Sequence, residues 1–225
     1  MKKMLKEKTC FILDMDGTFY IGEKLLEGAL EAVGILRSMG KQVVFFTNNS
    51  SKTSRDYVEK LNRMGCKISL DGVITSGEVS AGFLRSRYPG KRIYLLGTPQ
   101  LRQYLLQEGI AVVDDHPDIV LAAFDTTLRY DRLSEACRCI REGALFLATH
   151  PDLNCPVEGG FIPDCGSICA CITASTGAAP RYLGKPHTET VAYLEEKLQV
   201  SREQMVLIGD RLYTEIAMGS QHDIT

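Results

Sequence analysis

Four short apolar runs in this chain each lead into a polar group, and that repeated pattern constrains the fold more than any other feature. Phe11–Leu13 leads into Asp14-Met15-Asp16-Gly17-Thr18, and Val43–Phe46 into Thr47-Asn48-Asn49-Ser50. Tyr182–Gly184 is followed by Lys185, and Val206–Ile208 by Gly209-Asp210. Short apolar runs bounded by turn residues read as buried strands. In an open parallel sheet, ligands bind beyond the carboxyl ends of the strands. A single sheet holding all four runs would therefore bring all four polar groups to one edge.

Helical patterns separate the runs. Ala29, Val33 and Leu36 recur at helical spacing before Gly40, and Tyr57, Val58, Leu61 and Met64 before Gly65. With a third strand at Val73-Ile74, the order β-α-β-α-β predicts a parallel sheet covered by helices. From about residue 76 to 179 a second set follows. Strand-like runs lie at Ile93–Leu96, Ile119–Phe124 and Leu145–Ala148, with helices around 101–107 and 133–141. Residues 150–166 read as a loop. The last part returns to the first theme, with a strand at Tyr182-Leu183, a helix over 188–198 and a strand over 205–208. The expected fold class is α/β: a Rossmann-like parallel-sheet core of residues 1–78 and 180–225, and an inserted smaller α/β domain of residues 79–179. His222–Thr225 reads as the approach to a further strand, so the C-terminal end of the core is expected to be truncated.

Composition narrows the function classes. The 225 residues are 44% hydrophobic and 24% charged, which excludes a disordered tail or a fibrous repeat. Lys plus Arg is 26 and Asp plus Glu is 28, a formal net charge of −2, so no general attraction to nucleic acid or anionic membrane is expected. No apolar run approaches a membrane span. The basic start MKKMLKEK is followed by too few apolar residues for a secretory core. A cytoplasmic protein with eight reduced thiols is expected. Cys165, Cys169 and Cys171 lack the paired knuckles of a structural zinc site and read as small residues near a helix.

The polar groups suit one chemistry. Asp14, Asp16 and Asp210 are hard oxygen donors of the kind Mg²⁺ prefers alongside water and a substrate phosphate. Lys185 adds a fixed positive charge. Thr47 and the amides around Asn48 and Gly17 can donate to phosphate oxygens. Asp14 is a competent nucleophile once the phosphate charge is neutralised. A second carboxyl two residues on can protonate the leaving oxygen and then activate water. Alone, each motif has a plainer reading as a turn, a cap or a solvated side chain. A calcium loop starting at Asp14 would need Gly at its sixth position and Glu at its twelfth, where Phe19 and Leu25 stand. Neither G-x-x-x-x-G-K-[ST] nor G-x-G-x-x-G occurs.

The set DMDGT, TNNSS, GKP and GDRLYTE resembles the haloacid dehalogenase superfamily of phosphatases. ATHPDLNCP and FIPDCGSICACITASTG are similar to the NagD-like, p-nitrophenyl-phosphatase-like branch, whose cap is inserted between the second and third motifs. The resemblance implies a Rossmann-like core, Asp14 as nucleophile and Asp16 as acid/base. It implies Mg²⁺ held by the Asp14 and Asp210 carboxylates and the Asp16 carbonyl, and phosphate held by Thr47, Asn48 and Lys185. Glu215 stands where this branch usually has Asp.

Contacts to the leaving group must set specificity, because a phosphoryl group is a small target. His150 and Asp152 are the first candidates for substrate contact, followed by Asn154, Asp164 and Ser167. Gly166 would let backbone approach the site closely, and Tyr130 and Phe161 read as core or wall. The expected function is Mg²⁺-dependent hydrolysis of a small phosphorylated metabolite through an aspartyl-phosphate, the candidates being phosphomonoesters of the sugar phosphate, phosphoglycolate, nucleotide or p-nitrophenyl phosphate type. A non-catalytic phospho-ligand sensor on the same fold is the alternative. A receiver-like phosphoacceptor would not need Asp16 or so large an insert, and carbon–halogen hydrolysis would gain little from Asp16. Cap-to-cap pairing into a homodimer is left open.

Overall fold

The computed structural model describes residues 2–225. Its strands are β1 (Cys10–Leu13), a small hairpin of β2 (Tyr20–Ile21) and β3 (Lys24–Leu25), β4 (Gln42–Thr47), β5 (Val73–Thr75), β6 (Arg92–Leu96), β7 (Ala111–Val112), β8 (Ile119–Ala122), β9 (Leu145–Ala148), β10 (Asn154–Val157), β11 (Gly160–Pro163), β12 (Arg181–Tyr182) and β13 (Met205–Ile208). The first sheet has the order β13-β1-β4-β5, and every pair in it is parallel. Leu13 lies opposite both Ile208 and Phe45. Asp14, Gly209 and Thr47 therefore leave the sheet at one edge.

Period-two alternation divides these strands between two layers of helices. Phe11, Leu13, Val43 and Phe45 pack with Val33, Tyr57 and Leu61 from the helices Ala29–Ser38 and Ser54–Arg63. Cys10, Ile12, Val44 and Phe46 pack on the other face with Val191 and Leu194 from the helix Thr188–Leu198. Thr53 starts the Ser54–Arg63 helix through a capping box, with its side chain taking the Asp56 N–H and Asp56 taking the Thr53 N–H.

The second sheet has the order β12-β9-β8-β6-β7 and is also parallel throughout. Its two faces carry the helices Tyr130–Arg141 and Cys165–Thr176 on one side, and Ser76–Arg87 and Pro99–Gln107 on the other. Two expectations are corrected here. The run before Lys185 does not join the first sheet: β12 pairs with β9, Arg181 opposite Leu147 and Tyr182 opposite Ala148. A two-residue run marks a strand but carries too few side chains to select a sheet, and Tyr182 finds its packing in the second core. The segment read as a loop over 150–166 contains the antiparallel hairpin β10–β11. Both strands are largely exposed, so no apolar alternation announced them, and Gly159 at φ +85° makes their tight turn.

Near the C-terminus, Leu207 of β13 donates its N–H to the Thr225 carbonyl at 2.8 Å. Cys165 and Cys169 are buried in the second core while Cys171 is exposed, and all eight cysteines are free. Among the described residues, no helix is long and apolar enough to cross a membrane.

Candidate active site

One cleft is lined by Asp14, Asp16, Thr47, Asn48, Asp152 and Lys185. Two of the four polar groups arrive there on the first sheet, those of Asp14 and Thr47, and Lys185 arrives from the second, while Asp210 stands at the same sheet edge outside the lining. The Asp14 N–H donates to the Ile208 carbonyl at 2.8 Å, so the β1–β13 ladder runs up to Asp14. Gly17 then turns the chain at φ +96°. A Cβ on Gly17 would lie 2.5 Å from Asp210 Oδ2, so only glycine lets the Asp210 carboxylate pack on this turn. Thr18 Oγ1 donates to Asp210 Oδ1 at 3.2 Å. Asp210 itself is exposed and is not among the residues that line the cleft.

Lys185 is almost wholly buried and uses all three of its protons. Its Nζ donates to Asp14 Oδ1 at 2.7 Å, to the Phe46 carbonyl at 3.1 Å, and to Glu215 Oε1. Burial alone would lower this lysine, but Asp14 and Glu215 outweigh burial and hold it above its ordinary value. Burial pushes Asp14 up to about 7 against the opposing pull of Lys185. Burial also raises Asp16, which suits a carboxyl that must hold a proton before giving it up. Glu215 is lowered, because the Lys185 charge and hydrogen bond outweigh its burial. Its extra methylene is accommodated because Gly209 has no Cβ; one there would lie 2.2 Å from Glu215 Cγ.

Asn48 ties the parts together. Its Oδ1 accepts the Lys185 N–H at 2.9 Å, and its Nδ2 donates to the Lys185 carbonyl and to Asp152 Oδ1, both at 3.2 Å. A Cβ on Gly184 would meet the Thr149 carbonyl at 2.5 Å and Asn48 Oδ1 at 2.8 Å, so this approach also requires glycine. Thr47 Oγ1 accepts from the Asn49 N–H at 3.1 Å, which leaves its own proton for a ligand. Ser50 Oγ and Thr149 Oγ1 lie 2.9 Å apart and link this loop to the end of β9.

The residues expected to read the substrate are placed differently from one another. Asp152 lines the cleft with both oxygens engaged, by Asn48 and by Arg211 Nη1 at 3.0 Å. Asp164 also lines it and caps the helix Cys165–Thr176. His150 lies behind them with no exposure. Gly166 is not among the residues that line the cleft; its missing Cβ makes room for the Pro151 carbonyl, since a Cβ there would lie 2.2 Å from that oxygen. Asn154, Ser167, Tyr130 and Phe161 do not line the cleft; Tyr130 and Phe161 are strongly exposed, neither core nor wall. Arg211 was missed from the sequence. Its signal was available, since it follows Asp210 directly beyond a strand end.

Burial lowers His150 to about 4, which makes a pH test. The unfolded imidazole takes up a proton near pH 6.5, whereas the folded one resists until about 4. This contribution to stability is present above pH 6.5 and is lost as pH falls toward 4. The full loss is about 3 kcal/mol, at ~1.4 kcal/mol per pH unit. Asp152 and Asp164 face the ring and are raised by burial, which acts in the opposite sense; Arg211 and Lys185 add to the lowering. Those four groups are common to wild type and His150→Gln. Urea midpoints at pH 7 and pH 4.5 should therefore fall more steeply in wild type, and parallel profiles would reject a neutral buried imidazole.

Comparison with known proteins gives the family. A haloacid dehalogenase-like hydrolase model matches residues 11–111, and a second model of HAD-like hydrolases matches residues 182–225. An acid sugar phosphatase of Staphylococcus aureus is 32% identical over 216 residues, 96% of this chain and 83% of the relative. The chain belongs to the haloacid dehalogenase-like hydrolases. Within them it sits in the NagD-like, p-nitrophenylphosphatase-like branch. The crystal structure of a 4-nitrophenylphosphatase from Thermotoga maritima superimposes with a TM-score of 0.95 at 46% identity, covering 99% of this chain and 85% of that one. A glycerol phosphate phosphatase from Mycobacterium tuberculosis, solved in complex with magnesium, gives 0.90 at 29% identity, covering 98% and 67%.

Proposed function

We propose that this chain is a Mg²⁺-dependent phosphatase of small phosphomonoesters that works through a phosphorylated Asp14. Phosphoric monoester hydrolysis is the class of its relatives, whose names give sugar, glycerol and nitrophenyl phosphates, and this favours sugar phosphates among the expected metabolites. The observation that carries the mechanism is the Asp14 carboxylate, held at 2.7 Å by a buried lysine, with a second carboxyl two residues on lining the same cleft. Asp14 attacks phosphorus as the ester P–O bond breaks, and Asp16 gives its proton to the departing oxygen. Asp16 then takes a proton from water, whose oxygen attacks phosphorus and frees the Asp14 carboxylate. Thr47, Asn48 and Lys185 hold the transferred group throughout.

The residues present suit Mg²⁺. Five carboxylates line the cleft (Asp14, Asp16, Asp152, Asp164 and Glu215) against two cations, Lys185 and Arg211. The Gly17 turn brings a sixth carboxylate, Asp210, against the Asp14 loop. Asp14, Asp16 and Asp210 would hold the ion, which supplies neutralising charge to the phosphate when bound. Residues 79–179 act as the cap in this proposal, with β12 completing their sheet, and closure keeps water out of the first step. The test is phosphate release from p-nitrophenyl phosphate with Mg²⁺ and after EDTA. EDTA should remove essentially all turnover, and added Mg²⁺ should restore it. Turnover that persists in EDTA would overturn the metal requirement.

A further inference from the structure

His150 is fully buried, and neither of its ring nitrogens has a hydrogen-bond partner. A neutral imidazole carries one donor and one acceptor, and leaving such a group unsatisfied costs ~1–3 kcal/mol. Two buried carboxylates face the ring. Asp152 Oδ2 lies 3.8 Å from Nδ1 and Asp164 Oδ1 lies 3.4 Å from Nε2. One ligand atom from each of the three residues lies within 4.8 Å of the others. Both aspartates also open on the cleft, so an ion has a route in. The cleft lining carries five carboxylates against two cations, which favours the entry of positive charge.

We propose that His150, Asp152 and Asp164 form a second cation site in the cleft wall, for a borderline transition ion of the Zn²⁺ or Co²⁺ type. None of the three is among the residues assigned to Mg²⁺. The donor set separates the two ions, because Mg²⁺ takes all-oxygen, largely hydrated sites whereas imidazole nitrogen suits Zn²⁺ and Co²⁺. Three protein ligands with a position left for water is a common zinc arrangement. The ion takes a single ring nitrogen; ligand atoms ~2.1 Å from a tetrahedral ion stand ~3.4 Å apart, so ligand atoms that now lie within 4.8 Å of one another close in by up to about 1.4 Å on binding. Arg211 opposes this by its charge, since it holds the Asp152 oxygen nearest the ring at 3.0 Å. Asn48 holds the other oxygen and is not displaced. Occupancy thus draws Asp152 off Arg211 and couples the ion to the catalytic cleft.

The test is titration of the full chain with Co²⁺ in a large excess of Mg²⁺, followed by visible absorption. One Co²⁺ per chain should give a tetrahedral d–d band without the near-ultraviolet charge-transfer band that thiolate ligands produce. His150→Gln should weaken this binding by at least ~100-fold, since loss of a ligand costs more than the ~10–100-fold that outer partners of a ligand are worth. Asp164→Asn keeps the volume and a capping side chain and should weaken it by at least ~10-fold. It serves as the second probe if His150→Gln does not fold by circular dichroism. Absence of the band, a thiolate band in its place, or unchanged affinity in a folded variant would each overturn the site.

Discussion

Asp14→Asn is expected to abolish turnover. Phosphate release from p-nitrophenyl phosphate in Mg²⁺ should fall by ~10⁴-fold or more, as when the nucleophile of another covalent mechanism is removed. The reason is chemical rather than structural, because the amide has the shape of the carboxylate but no lone pair able to displace an alkoxide from phosphorus. The fold should survive. Asp14 is raised to about 7 by burial, so a neutral side chain at this position relieves desolvation while the 2.7 Å contact with Lys185 loses its negative partner and keeps only an amide oxygen as acceptor. Lys185 keeps Glu215 and the Phe46 carbonyl as partners. Circular dichroism and a urea midpoint close to wild type would separate loss of chemistry from loss of fold. A folded variant with less than a tenfold loss would refute Asp14 as nucleophile.

Lys185→Met should damage both stability and activity. Lys185 is 2% exposed and sits between two buried carboxylates, Asp14 and Glu215. Removing one partner of a buried pair leaves charge uncompensated and costs ~3–5 kcal/mol. Under the proposed mechanism, loss of the cation that neutralises charge beside Asp14 should cost ~10²–10³ in kcat. The two effects can be separated. Lys185→Met with Glu215→Gln removes the excess charge and should recover most of the stability but none of the activity. The pH dependence has a defined sign. Without the lysine, the two carboxylates have raised folded-state values, so the penalty is present above those values and disappears as acid protonates them. The variant should therefore approach wild-type stability as pH falls from 7 toward 4, read by urea midpoints. A constant deficit across that range would mean that lost packing, not buried charge, is the cause.

Glu215 shows how the unusual residue at this position is absorbed. Its longer side chain does not displace Lys185 from Asp14. It fills space that Gly209 leaves open and is fixed by Thr214 Oγ1, which donates to Oε2 at 2.6 Å. The segment Leu212–Ile216 adopts a π-type turn, a widening often found at functional sites. The Glu215 geometry gives no support to the alternative of a non-catalytic sensor.

What the sequence determined by itself was local chemistry and period. The apolar runs 10–13, 43–46 and 205–208 became adjacent parallel strands because β-branched and aromatic residues on both faces of each can only be buried between helices. Asp14, Thr47 and Asn48 followed, since a polar residue directly after such a strand has only the sheet edge to occupy. Only the tertiary structure decided which sheet the short run Arg181–Tyr182 joins, because two side chains fit either core and pairing with β9 is a long-range choice. It alone placed Arg211 on Asp152, His150 behind both aspartates and Asp210 on the Gly17 turn. Those juxtapositions span 59 residues in the first case and 192 in the contact between Thr18 and Asp210. Residue type announces what such a side chain can bind, but its partner is chosen by how two sheets and their loops pack, and no local period encodes that.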